Sequence, residues 1–311
     1  MNARVRVLLA ALCLLAAGIL LAPAPAAADS CNWIDVQLPY DQFGHLWNTE
    51  NGTQGGDPKP WCAPTAIANS FRFLETRYPQ IYDQKLTHGN LLSTRDALQE
   101  GWVNAGNVYR NGTGAGDDQF IWEAKVQWIE DFAPGTTVFG GRVYKPGVNL
   151  SDWYGASPLQ NAYPTFDFLW GELEHKEDVE IGFYWKALVK KVGPGGEIIE
   201  EWKKFGHMVT LTSLKFCDSN GNKQWDADLD EVAQIDFIDP NDPRALTWCP
   251  LTMDYEGSGA LKFMYTHGGT PYLATLDLAY SESPIPEPVT LAGLMMGIGG
   301  VAVYIRRRRV A

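Results

Sequence analysis

The sequence predicts an α+β fold in which an N-terminal helical lobe packs against a C-terminal antiparallel β-sheet. Three observations carry this. Apolar residues recur at helical spacing between residues 63 and 132, β-branched and aromatic residues alternate from Val179 onward, and a GPGG turn at 193–196 joins two of the alternating runs. Helices first and strands afterwards is the order of the α+β class.

The elements follow in chain order. Asn32 to Pro60 is rich in Gly, Asn, Asp and Pro and reads as an extended lead-in. Ala63 to Tyr78 is the strongest helix: Pro64 falls in the first turn, where a missing N–H costs little, and Ala63, Ile67, Phe71 and Leu74 share one face. Tyr78-Pro79 ends it. Ala97 to Glu100 and Asp118 to Phe132 are also helical, with Phe120, Ala124 and Trp128 on one face and a Gly/Asn-rich loop, Asn104 to Gly116, between them. VEIGFYWKALVKKV and IIEEWKKF form a hairpin about the GPGG turn. HMVTLTSLKF, VAQIDFID, Leu261 to Tyr265 and Leu273 to Tyr280 supply further strands. The helical lobe spans 29–175 and the sheet lobe 176–283.

Both ends of the 311-residue chain read as address labels. Residues 1–28 carry Arg4 and Arg6, an apolar run from Val7 to Leu21, and an Ala-rich cleavage site, the pattern of a secretory signal peptide. At the far end, Val289 to Ile305 is an uncharged 17-residue run, at the short limit for a membrane span, and Arg306 to Arg309 follow it. Pro286-Glu287-Pro288, the short span and the arginine cluster, within 284–311, resemble the PEP-CTERM sorting signal of Gram-negative bacteria. That resemblance implies export across the inner membrane, transient anchoring through the tail, an exosortase-type sorting enzyme as partner, and a final place at the cell surface or in the extracellular matrix.

Between the labels the body holds 19 basic against 36 acidic residues, a net of −17. Such a charge excludes nucleic acid and anionic lipid as partners of the body. Cys13 leaves with the signal. Cys31, Cys62, Cys217 and Cys249 remain in an oxidising compartment, where disulfides persist. A bridge between Cys217 and Cys249 is expected, since each stands near a strand end. A structural reading of Cys62, paired with Cys31, stays open beside a catalytic one.

The catalytic reading rests on three local contexts. Cys62 stands at the start of the strongest helix, where the helix dipole favours a thiolate. His207 sits in FGHMV, with a glycine before it and a strand beneath it, so its imidazole is held rigidly. Asp239 ends the apolar strand of IDFIDP and suits the role of orienting that imidazole; Asn241 is the alternative orienter. His45, His88, His175 and His267 lack such a setting.

WCAPTAIAN, FGHMV and IDPN together resemble the papain-like cysteine peptidases, most closely the bacteriocin-processing (C39-like) branch. The 145-residue gap from Cys62 to His207 lies within the papain-type range. The resemblance implies a papain-like fold, a hydrolase or related acyl-transfer enzyme acting on a peptide or protein substrate, a Cys62–His207–Asp239 triad and no required cofactor. It departs from the family at the oxyanion donor: Gln54 stands eight residues before the cysteine, and Gly56 occupies the commoner spacing. The competing class is a non-catalytic surface or matrix-binding protein. Cleavage of peptidoglycan peptides by the same chemistry is a third reading.

A second site is suggested by Asp218, Asn220, Asn222 and Asp226, which set oxygen side chains at positions 1, 3, 5 and 9 of a loop, a spacing suited to Ca²⁺. Lys223 replaces the turn glycine of EF-hand loops, and Leu229 stands where they carry glutamate. The alternative is a solvated acidic hairpin tip.

Overall fold

The computed structural model describes residues 32–39, 62–100, 103–104, 107–108, 118–194, 197–226, 231–240, 248–253 and 258–285. Residues 1–28, expected to be a signal peptide, the apolar run 289–305, Gln54 and Asn241 lie outside them. Among the described residues no helix is long and apolar enough to cross a membrane.

In chain order the elements are β1 (Asn32–Gln37), α1 (Cys62–Arg77), α2 (Pro79–Tyr82), α3 (Leu91–Glu100), β2 (Val103–Asn104), β3 (Asn107–Val108), α4 (Asp118–Phe132), β4 (Thr137–Val143), β5 (Leu159–Gln160), α5 (Phe166–Glu174), β6 (Asp178–Val192), β7 (Ile198–Asp218), β8 (Ala233–Ile238), β9 (Cys249–Met253), β10 (Leu261–His267) and β11 (Thr270–Pro284). Apart from the small β2–β3 pair, all strands belong to one nine-stranded sheet.

This overturns the expected papain-like α+β division into a helical lobe and a sheet lobe. Among the described residues strand outweighs helix, 43% against 28%, and the N-terminal half itself supplies sheet. β1, expected as lead-in, pairs antiparallel along β7 from Asn32 opposite Asp218 to Gln37 opposite Ser213. β4 flanks β11, and β5 joins β4 in parallel. The helices therefore have no core of their own. One continuous apolar cluster runs from Val36 through Ile67, Trp122 and Leu169 to Tyr280.

The pairing closes on itself. β6 pairs with β7, β7 with β8, β8 with β9, β9 with β10, β10 with β11, and β11 returns to β6 from Thr275–Tyr184 to Glu282–Asp178, every pair antiparallel. A six-stranded ring results, which leaves no open edge along its length. Phe183 of β6, Phe237 of β8 and Phe263 and Tyr265 of β10 meet ring to ring although none of these three strands pairs with another, so they fill the interior. Alternation puts His207 on this inward face, its ring edge-on to Phe183.

The outward face of the β6–β7 pair is covered by α1 and α4. The Thr210 hydroxyl donates to the Ala66 carbonyl of α1 at 3.2 Å. Twelve of the 16 residues of α1 are buried, more than an amphipathic surface helix hides. In α4 the buried face centres on Ile121, Lys125 and Trp128, while Phe120 is only half-buried. Because β6 is covered on both sides, its first six residues are all buried, Asp178 and Glu180 included.

β7 runs unbroken for 21 residues and unites two runs that the sequence separates. β6 and β7 pair as far as Val192–Ile198. β11 pairs with β6 only up to Tyr184, and β8 with β7 only from Thr210. The hairpin beyond those points stands out from the ring as an arm.

Candidate active site

Cys62 is the first residue of α1, and the helix presents it to the edge of β7 at the place where β8 departs. There the Met208 N–H donates to the sulfur, as does the N–H of Ala63, and the His207 side chain hydrogen-bonds it as well. The other imidazole nitrogen, Nε2, lies 2.7 Å from Oδ1 of Asp239, just past the end of β8. The Tyr265 hydroxyl donates to the second oxygen of that carboxylate at 3.0 Å. Thiol, imidazole, carboxylate and phenol thus form one hydrogen-bonded chain from α1 through β7 and the end of β8 to β10.

The electrostatics follow from this contact order. Burial pushes the Cys62 thiol up, but the hydrogen bond and charge of His207 and the two backbone N–H groups outweigh it and hold the thiol below its ordinary 9.0. Burial alone would lower His207. Its bonds to Asp239 and Cys62 win and raise it from 6.5 to about 9. Opposite shifts in two touching groups favour a thiolate–imidazolium pair, the form in which sulfur is a nucleophile.

The pair opens into a cavity of about 440 Å³ lined by Cys62, Asp118, Ile121, Tyr184, Lys204 and Asp277, among others. Gly182 and Gly206 leave its floor without side chains. Lys204 lies over the Tyr184 ring, 3.7 Å from its centre, and 3.5 Å from Asp277. Burial raises Asp277 to about 7, against the pull of Lys204.

The other cysteines correct an expectation. Cys62 and Cys249 stand outside any disulfide, whereas Cys217 is disulfide-bonded. The expected Cys217–Cys249 bridge does not form. Cys249 pairs with Ile235 on β8, which lies between it and β7. Two strand spacings are about 9.5 Å, beyond disulfide reach. Burial raises the Cys249 thiol to about 11, so it is a poor nucleophile.

The proposed Ca²⁺ loop is drawn together by its own hydrogen bonds. Asp218 accepts the N–H groups of Gly221 and Lys223, and the side-chain amides of Asn220 and Asn222 both donate to Oδ2 of Asp226. The two asparagines therefore turn donors, not oxygens, toward Asp226. Glu231 closes the loop by accepting from Ser219 and Asp226.

Sequence reasoning did not find Tyr265 or the Lys204–Asp277 pair. Both sit in ordinary alternating strands and gain meaning only from the strand opposite. It also passed over a buried charge cluster on the helix-covered face. Lys125 of α4 contacts Glu180 of β6 and Glu282 of β11, with Asp178 beside them, and all four are fully buried. A signal existed: Glu180 interrupts an otherwise apolar run.

Comparison with protein-family models, curated proteins and solved structures returns no match to this chain.

Proposed function

We propose that the protein is an exported cysteine hydrolase or acyl-transfer enzyme acting on a peptide carbonyl. One observation carries the reading: a free thiol at a helix start, depressed below its ordinary range by a histidine that a carboxylate orients. The proposed kinship with C39-like peptidases rests on the three motifs and their order, since the architecture around them differs from the expected one. Export and release by the sorting tail remain part of the proposal.

In the proposed mechanism the Cys62 thiolate attacks the carbonyl carbon, and the former C=O oxygen takes the negative charge. The backbone N–H of Cys62, at the start of α1, is the proposed donor to that oxyanion. Imidazolium His207 then gives its proton to the leaving amine as the C–N bond breaks, which leaves a thioester on Cys62. Neutral His207 next takes a proton from water, whose oxygen displaces the sulfur and releases the acid. Asp239 holds the ring through Nε2, so the other nitrogen faces the sulfur throughout.

The test is hydrolysis of a mixed peptide panel by the secreted body, with Cys62→Ala and His207→Ala as companions. Turnover abolished in both variants supports the reading. Turnover retained by Cys62→Ala would refute it.

A further inference from the structure

The arm beyond the ring shares a face with the cleft. In the β6–β7 register Gly182 faces Met208, Tyr184 faces Gly206, Lys186 faces Lys204, Leu188 faces Trp202, Lys190 faces Glu200 and Val192 faces Ile198. No register shift interrupts the series, so alternation puts all twelve on one side of the ribbon. The first three pairs supply Gly182, Met208, Tyr184, Gly206 and Lys204 to the cleft wall. The outer pairs continue the same surface away from Cys62.

That outer surface is apolar and open. Trp202 is 70% exposed, Val192 78%, Ile198 69% and Leu188 44%. The opposite face of the arm's base is put to use in packing: Trp185 and Ala187 are buried, and Trp185 meets Tyr265, His267 and Tyr272. Ile199 and Phe205 on the opposite face are less exposed, so the larger bare apolar cluster lies on the side continuous with the cleft and marks an interaction surface. Its charge points to the partner. On this face Lys186, Lys190 and Lys204 stand against Glu200, which Lys190 pairs, a basic strip in a chain of net charge −12.

We propose that the outer face of the β6–β7 arm is an exosite for an extended, acidic polypeptide bearing apolar side chains, and that this polypeptide is the substrate whose scissile carbonyl lies at Cys62. The inference rests on the reading of Cys62 as nucleophile. Continuity of the surface with the cleft names the occupant: a chain lying across Trp202 and Leu188 runs over Lys186 and Lys204 into the cavity. Lysines at the neck steer its carboxylates, and the bare apolar side chains hold it in place.

The experiment uses the full secreted body carrying Cys62→Ala, which removes turnover and leaves binding to be read alone. The probe is β-casein, an unfolded acidic polypeptide, labelled with a fluorophore at its N-terminus, with binding followed by fluorescence anisotropy. We expect saturable binding that Trp202→Ser with Leu188→Ser weakens about tenfold or more, since a buried tryptophan commonly dominates such contacts. The control Val138→Ser, 56% exposed on β4 away from the arm, leaves the affinity unchanged. Absence of binding, or equal weakening by Val138→Ser, overturns the exosite. So does a concentration-dependent dimer that the arm substitutions dissolve, because a second copy is then the occupant. Hydrolysis of short peptides by the unsubstituted protein is scored separately: its absence overturns the enzyme reading and with it the substrate role of the bound chain, whereas hydrolysis of short peptides without binding at the arm overturns the exosite alone.

Discussion

Replacing Asp239 by asparagine removes the negative charge 2.7 Å from His207 and leaves the side-chain size unchanged. His207 stands at about 9 against an ordinary 6.5. At ~1.4 kcal/mol per pKa unit this favours the imidazolium by about 3 kcal/mol, net of a burial effect that opposes it. Asp239 is the largest of the groups that raise it, so loss of that anion lowers the imidazole and with it the thiolate, by on the order of one pKa unit, a factor of ten. The sign is fixed by the direction of each shift. Stabilisation from the raised His207 is complete below its unfolded value of 6.5 and is lost as pH rises through about 9. Stabilisation from the lowered Cys62 is present above 9.0 and is lost as pH falls through its folded value. The ion pair therefore occupies the window between the lowered thiol value and about 9. Alkylation by iodoacetamide, followed by peptide mass spectrometry from about pH 5 to about pH 10, reads the thiolate at each pH. The unbridged Cys249 is the internal reference, expected to react slowly at neutral pH. We expect Cys62 in the parent protein to react well below the usual thiol range, and the Asp239→Asn protein to react about tenfold more slowly at neutral pH, its limb shifted upward. An unchanged profile in Asp239→Asn would refute the claim that the carboxylate controls the sulfur through His207.

Three further outcomes are expected. Tyr265→Phe removes the hydroxyl that donates to Asp239 and lowers stability by about 1–2 kcal/mol in denaturant unfolding. Lys125→Met strands Glu180 and Glu282 without their cation and costs about 3–5 kcal/mol. The deficit grows with pH: Asp178 and Glu282 are raised by burial and mutual charge, so the folded chain keeps protons that the unfolded chain sheds above 3.8 and 4.5. Equal unfolding midpoints for parent and variant at mildly acidic and mildly alkaline pH would contradict this. Gly182→Ala puts a methyl group 2.5 Å from Leu278 Cγ, on a branched carbon that cannot swing clear, and is expected to cost about 1–3 kcal/mol, visible as a lower melting temperature.

What the sequence determined by itself is local. Residues 62–77 form a helix beginning at Cys62 because Pro64 suits a first turn and the apolar residues recur at its period. His207 lies within a strand and Asp239 at a strand end because β-branched alternation and Pro240 place them there. Each member of the candidate site was therefore nameable alone. The architecture was not. A period of two says that a segment is a strand and says nothing of its neighbour, so the return of β11 to β6, across about a hundred residues of chain, left no local trace. Nor did the pairing of NWIDVQ along β7. Tertiary structure alone decided that the sheet closes into a ring. It also decided that β8 leaves β7 at Thr210 and so opens an edge to the sulfur, that Tyr265 meets Asp239, and that Cys249 stands a strand too far from Cys217. These are distances between segments remote in sequence, set by which backbone edges pair and by the volume of the rings inside.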